Sequence, residues 1–242
     1  MEVVWLLAFA VLLTGYFALE GFDLGVGLLM AGRSQERRDR MVAAMAPFVL
    51  ANEVWLVAVA GVLFGAFPVL EGEVIFALYP LVVAMLLGWI VRDAGLWFRR
   101  RMDGRAWRGF WDLMISLGSL VLAVGWGMVI GSVAGLPWIA GLALGAVTTA
   151  LFAFHGRTFL AWREAHGEGR NLTLSALAAA APVIVLLAAV APHLLDHAAP
   201  AATLNVLSLM VVPFAPLMVG AQVWVWRTFR PGKGADRIPS FF

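Results

Sequence analysis

The chain has 242 residues, 62% of them hydrophobic and only 13% charged, with a mean hydropathy of +0.90, which excludes an ordinary soluble domain and identifies a polytopic membrane protein. The formal charge of +2 and the pI near 9.7 come from arginines at segment ends and are not a nucleic-acid signal. With no cysteine, the sequence excludes disulfides, zinc–thiolate sites, iron–sulfur clusters and thiol catalysis.

Seven apolar segments reach the roughly 20 residues a spanning helix requires. They run approximately over 3–31, 42–68, 74–97, 110–134, 138–162, 173–195 and 204–228. The first is too long for a signal-peptide core and has no basic leader, so it is expected to be retained. The sixth is alanine-rich, contains Pro182, and runs into a connection holding Pro192 and Pro200. Basic residues occupy alternate connections: Arg33, Arg37, Arg38 and Arg40; Arg99, Arg100, Arg101, Arg105 and Arg108; Arg157, Arg163 and Arg170; Arg227, Arg230, Lys233 and Arg237. The connections at 69–73, 135–137 and 196–203 have none. By the positive-inside rule the N-terminus is outside and the C-terminus cytoplasmic. No linker, repeat or soluble insert interrupts the pattern. The expected fold is a single all-α domain over 1–242, a seven-helix transmembrane bundle.

Inside the first two segments sit acids that a bilayer does not tolerate without reason. Glu20 and Asp23 lie in the first, Glu53 in the second. A carboxyl group at mid-membrane costs roughly 2.5–3.5 kcal/mol on insertion scales and commonly marks an ion or proton path. Counting about 1.5 Å per residue from the basic end, Asp23 lies about 15 Å deep, Glu20 and Glu53 about 20 Å. All three therefore share one level. A lone buried acid often serves as neutral hydrogen-bonded glue between helices; a coplanar set points further, to a proton path. Gly21 and Gly25, extended by Gly27, permit close helix approach beside Asp23.

The remaining candidates have plainer readings. Asp112, at the start of the fourth segment, is expected to complement the helix dipole, with a functional role as the alternative. Arg99–Arg101 reads as a positive-inside cluster that attracts anionic lipid. Arg92 and Asp93 read as snorkelling residues near the inner end of the third segment. Trp5, Trp97, Trp107, Trp111, Trp138 and Trp162 fall at membrane interfaces, whereas Trp55, Trp89 and Trp126 are deeper and suit helix contacts. His155 reads as an interfacial or packing residue, and His166, His193 and His197 belong to connections or interfaces. No opposed midplane pair of histidine or methionine ligands is present for haem iron, so this chain alone is expected to bind no haem and no metal.

Gly21-Phe22-Asp23-Leu24-Gly25-Val26-Gly27 resembles the signature of subunit II of the cytochrome bd family of terminal quinol oxidases. So does Asn52-Glu53-Val54-Trp55-Leu56, followed by Gly61, Phe64 and Phe67-Pro68. The 92–112 stretch with Trp107-Arg108 and Trp111-Asp112, His155-Gly156 with Leu160 and Arg163, and the last segment from Thr203-Leu204-Asn205 to Gln222 and Trp224 are similar too. The resemblance implies a subunit that binds no haem itself. It packs against a haem-bearing subunit I, which carries haems b and d, or b alone, and oxidises quinol with oxygen as acceptor. It also implies assembly and proton-access roles in a bacterial or archaeal cytoplasmic membrane, and candidate proton-path or buried polar residues Glu20, Asp23, Asn52, Glu53 and Asp112, with Gly21, Gly25, Gly27 and Trp55 as packing positions.

Two departures stand out. The chain is shorter than most members, by about one helix pair between the fifth and last segments. Val49-Leu50-Ala51 replaces the Trp-Asp-Gly that many members carry before Asn52, so an acid the family uses for proton supply is absent and Glu53, three residues from that site, becomes its partial substitute. The rival readings are a proton- or cation-coupled transporter and a structural paralogue without chemistry.

Overall fold

The computed structural model describes residues 1–165 and 171–231. Arg170, Lys233 and Arg237, assigned above to the basic connections, and His166, assigned to a connection or interface, lie outside the described residues. The chain forms α1 (Glu2–Leu29), α2 (Gln35–Ala66), α3 (Pro68–Ala77), α4 (Tyr79–Phe98), α5 (Arg105–Val133), α6 (Trp138–Glu164), α7 (Leu172–Asp196), α8 (Ala201–Val211) and α9 (Ala215–Thr228). Seven spans are long and apolar enough to cross a membrane, with α8 and α9 together making the seventh. The protein is an all-α multi-pass membrane bundle, and no strand occurs among the described residues.

Helix boundaries depart from hydropathy where polar residues are helical. The second helix begins at Gln35 rather than near 42, because Ser34 caps it: its Oγ accepts from the Arg37 N–H at 3.4 Å. Glu36 and Arg40 then pair one turn apart at 2.8 Å. The connection expected at 69–73 is instead helical, since Pro68 at the first position of α3 starts a new helix directly after α2. A 3₁₀ turn at Val212–Phe214 that contains Pro213, followed by Pro216 at the start of α9, breaks the last span, each ring removing a backbone donor from the ladder.

Helix α1 is the hub, packing against α2, α5, α6 and α7. Every residue from Glu20 to Gly27 is buried, so neighbours surround this stretch on all sides. Glycine makes that enclosure possible. A Cβ on Gly25 would collide with the Phe152 carbonyl and the Gly156 backbone of α6, and one on Gly156 would meet Gly25 at 2.5 Å. Gly27 admits Ser119 of α5, and Gly21 takes the Phe152 ring. Toward the basic end an aromatic cluster closes the core, with Phe22 stacked on Phe159 at 4.1 Å and flanked by Phe48 and Trp226. By contrast α8 and α9 bury only Leu204 and Gln222 and lie on the periphery against α2.

Gly25→Val should therefore lower stability by about 3 kcal/mol, the upper end of overpacking costs, since the obstacle is backbone and cannot rotate away. Gly61→Ala, with nothing within 4 Å of its would-be Cβ, should be neutral or stabilising. Thermal melts of both detergent-solubilised variants check this, and equal midpoints would contradict the close α1–α6 crossing.

Candidate functional site: a buried ion cluster joining α1, α2 and α4

The geometry brings the sequence-predicted acids together around a residue that hydropathy assigned to the membrane edge. Arg92 is fully buried, and its Nη1 donates to Glu20 Oε1 at 2.8 Å, Glu53 Oε1 at 3.1 Å and Asp93 Oδ1 at 3.2 Å. Glu20 of α1 and Glu53 of α2 thus share one nitrogen of α4 and lie at one level. Arg92 does not snorkel. Gly88, Arg92 and Gly95 follow a helical stripe that packs on α5, and a Cβ on Gly118 would meet the Arg92 Cβ at 2.7 Å. The stem has α5 at its back and reaches inward to α1 and α2. Trp89 Nε1 adds a donor to Glu53 at 3.1 Å.

Asp23 belongs to the same region through α2. Asn52 Nδ2 donates to Asp23 Oδ2 at 2.7 Å, and Gln222 Nε2 of α9 donates to Asn52 Oδ1 at 2.9 Å. Trp55 Nε1 in turn donates to Gln222 Oε1 at 3.1 Å. The chain Trp55–Gln222–Asn52–Asp23 runs through two buried amides, with every amide orientation satisfied. Gln222 also lines a cleft of about 480 Å³ beside Trp162, Trp226, Arg227 and Arg230 at the basic end. Four atoms of the cluster have no protein partner: Glu20 Oε2, Asp23 Oδ1, and Nε and Nη2 of Arg92. Two are acceptors and two are donors.

Asp112 stands apart from this group and is not a helix cap. Helix α5 begins at Arg105, so Asp112 lies two turns inside it, beyond the reach of the terminal dipole. It accepts from Arg99 Nε at 2.9 Å and Gln35 Nε2 at 2.9 Å, with Arg38 at 3.4 Å. Arg99 is itself fully buried and donates to Asp39 at 2.8 Å. It is an internal tie between α2, the end of α4 and α5, not a lipid-facing member of a surface cluster. Sequence reading missed both buried arginines. The available signal was their register: Gly88, Arg92, Gly95 and Arg99 fall on one face.

The other predicted positions divide by environment. The three deep tryptophans all hydrogen-bond to polar groups, Trp126 through Tyr16 Oη at 3.1 Å. Trp55 also covers Gly15. His155 is buried, with Nε2 donating to the Ala18 carbonyl at 2.9 Å and Nδ1 accepting from the Ser175 hydroxyl at 2.8 Å. Both ring nitrogens are engaged, so His155 has no free lone pair for haem iron. Among the described residues, no group of three or more histidine or acidic side chains has metal-binding geometry. Leu50, at the position of the missing acid, is 51% exposed and turns away from the cluster.

Arg92→Met should destabilise the folded chain by about 3–5 kcal/mol, because it leaves buried carboxyl groups without their cation. A snorkelling arginine would cost within about 0.5 kcal/mol. Adding Glu20→Gln and Glu53→Gln to Arg92→Met should recover part of the loss; thermal midpoints of the parent, the single variant and the triple variant decide the matter, and a midpoint for Arg92→Met matching the parent would remove the ion cluster from the argument.

Comparison with known proteins agrees with this architecture. The family profile "Cytochrome bd terminal oxidase subunit II" matches residues 1–195. The chain is similar to cytochrome bd-I ubiquinol oxidase subunit 2 of Escherichia coli (32% identity over 141 residues, covering 57% of this chain and 37% of that protein). It is also similar to cytochrome bd ubiquinol oxidase subunit 2 of Bacillus subtilis (33% over 177 residues, 66% and 52%). A probable cytochrome oxidase subunit 2 of Haemophilus influenzae shares 30% over 141 residues, 57% of this chain and 37% of that one. The chain thus spans about half or less of the length of these relatives. With a profile covering most of its length and a bundle of seven membrane spans, the chain belongs to the cytochrome bd terminal oxidase subunit II family.

Proposed function

We propose that this chain is the subunit of a bd-type quinol oxidase that ligates no haem and presents a proton-holding cluster beside a haem-bearing subunit I. The complex would oxidise quinol and reduce oxygen to water in a bacterial or archaeal cytoplasmic membrane, with this chain's N-terminus outside and its basic end in the cytoplasm. When bound in subunit I, the haems supply the electron transfer to oxygen. The observation that carries the reading is the single buried guanidinium of Arg92 set among Glu20, Glu53 and Asp93, with Asp23, held by Asn52, three residues along α1 from Glu20. One cation cannot neutralise four carboxylates inside a membrane, so charge balance puts protons on the remainder.

Within this proposal each residue has its own task. Asn52 holds Asp23 by Oδ2 and leaves Oδ1 open to take or release a proton. Arg92 holds Glu20 by Oε1 and leaves Oε2 open in the same way. Glu53 is held by Arg92 and Trp89 on α4. It is therefore better fixed as a counter-ion than as a carrier. Gln222 orients Asn52 and faces the basic-end cleft, which supports proton entry from that side. Arg92, Arg99 and Asp112 tie the helices and support assembly.

Asp23→Asn should therefore slow quinol oxidation by about a hundredfold, the low end of what a positioned proton-transfer group contributes. Glu53→Gln, which keeps acceptors for Arg92 and Trp89, should cost far less. Oxygen uptake is measured with haem content in parallel, so that loss of turnover is separated from loss of assembly. If both variants assemble and respire at the parental rate, the chain is a scaffold and no proton passes through it.

A further inference from the structure

Far from the ion cluster, the last turn of α7 and its C-cap carry two histidines four residues apart. His193 and His197 stand at the end of the bundle away from the arginines, in the stretch that runs into the Lys- and Arg-free connection 196–203. Their ring centroids are 4.3 Å apart at an interplanar angle of 51°. His193 is exposed and His197 partly so. Neither belongs to the buried core, and the function proposed above uses neither.

We propose that His193 and His197 form a two-histidine site for a borderline divalent transition-metal ion, copper(II) above all. Three observations support it. First, the spacing is i and i+4, which stacks the two rings on one helix face, where both can reach a single ion. Second, the separation fits. With metal–nitrogen bonds of about 2.0–2.1 Å, two imidazoles bound at a right angle to one ion have centroids about 4.5 Å apart, close to the distance present without metal. A right-angle arrangement is the tetragonal preference of copper(II) and nickel(II), not the tetrahedral one of zinc. Third, the tautomer is set. Nδ1 of His197 lies 2.9 Å from the His193 carbonyl, which can only accept, so Nδ1 carries the proton and Nε2 holds the free lone pair. A backbone carbonyl on the far nitrogen is the usual outer partner of a metal-ligating histidine.

The surroundings favour a cation. Asp196 sits between the two histidines in sequence, three positions from His193 on the same helix face, and adds negative charge. The helix C-terminus adds partial negative charge from its free carbonyls. Pro192 and Pro200 bracket the segment and restrict its backbone. With two protein ligands, the remaining coordination positions go to water or to a group from a neighbouring molecule.

The test uses the full chain purified in its native complex, titrated with copper(II) after exhaustive chelation. Parental complex should take up one more copper(II) per chain than complex carrying His193→Gln and His197→Gln together. The parental-minus-variant electron paramagnetic resonance spectrum should show an axial signal split by two nitrogens. Each single substitution should weaken binding by about a hundredfold, the low end of the gain from linking two ligands, while magnesium should not compete. Both side chains are at the surface and glutamine keeps a polar group there, and the haem spectrum of each variant verifies that the complex is intact. Equal copper uptake by parent and double variant means adventitious binding elsewhere and overturns the site, as does a difference spectrum with coupling to one nitrogen.

Discussion

The buried contact of Arg92 with Glu20 and Glu53 sets the terms for the rest of this molecule. A charged group in a low-dielectric interior loses several kcal/mol of solvation, which its partners offset only at hydrogen-bonding distance and in good geometry. Three helices must consequently meet at one point to within tenths of an ångström: α1 through Glu20, α2 through Glu53 and α4 through Arg92. The glycines follow from this demand. Gly88, Gly95 and Gly118 let α4 and α5 pack closely enough to direct the arginine inward, and Gly25 against Gly156 lets α6 close the other side of α1. In lipid, where apolar side chains gain little by leaving the bilayer for one another, small residues and polar ties are what bring helices together.

The membrane class and seven spans were legible because the bilayer imposes a length and an apolarity that few other structures share. Their ends were not. A hydropathy reading stops where arginines begin, yet Gln35 to Arg40 is helical, capped by Ser34 and paired internally. The acids of the cluster were legible for a similar reason: Glu20, Asp23 and Glu53 are conspicuous in apolar runs, and their depths could be counted from the basic connections. What could not be counted was the partner. Arg92 lies seven positions before Arg99, close enough to the basic end to resemble a snorkelling residue, and its contacts come from helices far away in sequence. Asp112 misled in the same way, because the basic turn before it is itself helical. Residue spacing reports one helix face at a time; the ion cluster is a property of three faces.

The family resemblance and the geometry constrain each other at Leu50. An acid at that position would face away from the Arg92 cluster, since Leu50 is half exposed and Asn52 and Glu53 occupy the inward positions of the same turn. Leucine at this position leaves every contact of the inner group in place. Glu53 is tied to Arg92 and Trp89 on α4. The inner group instead meets the basic end through α9, by way of Gln222 and Asn52.

That connection gives the peripheral last helix a role its packing would not suggest. Helix α9 buries a single residue, Gln222, and is separated from α8 by a 3₁₀ turn that contains Pro213. An isolated glutamine inside a membrane is costly unless its donors and acceptor are met. Here Trp55 and Asn52 meet them from α2, so polar contacts on one side chain reinforce the register of α9. If α9 shifted by one residue, Gln222 would leave both partners and Asn52 would lose one of the contacts that orient it toward Asp23. The position of a loosely packed helix and the orientation of the most enclosed acid among the described residues are thereby one structural variable.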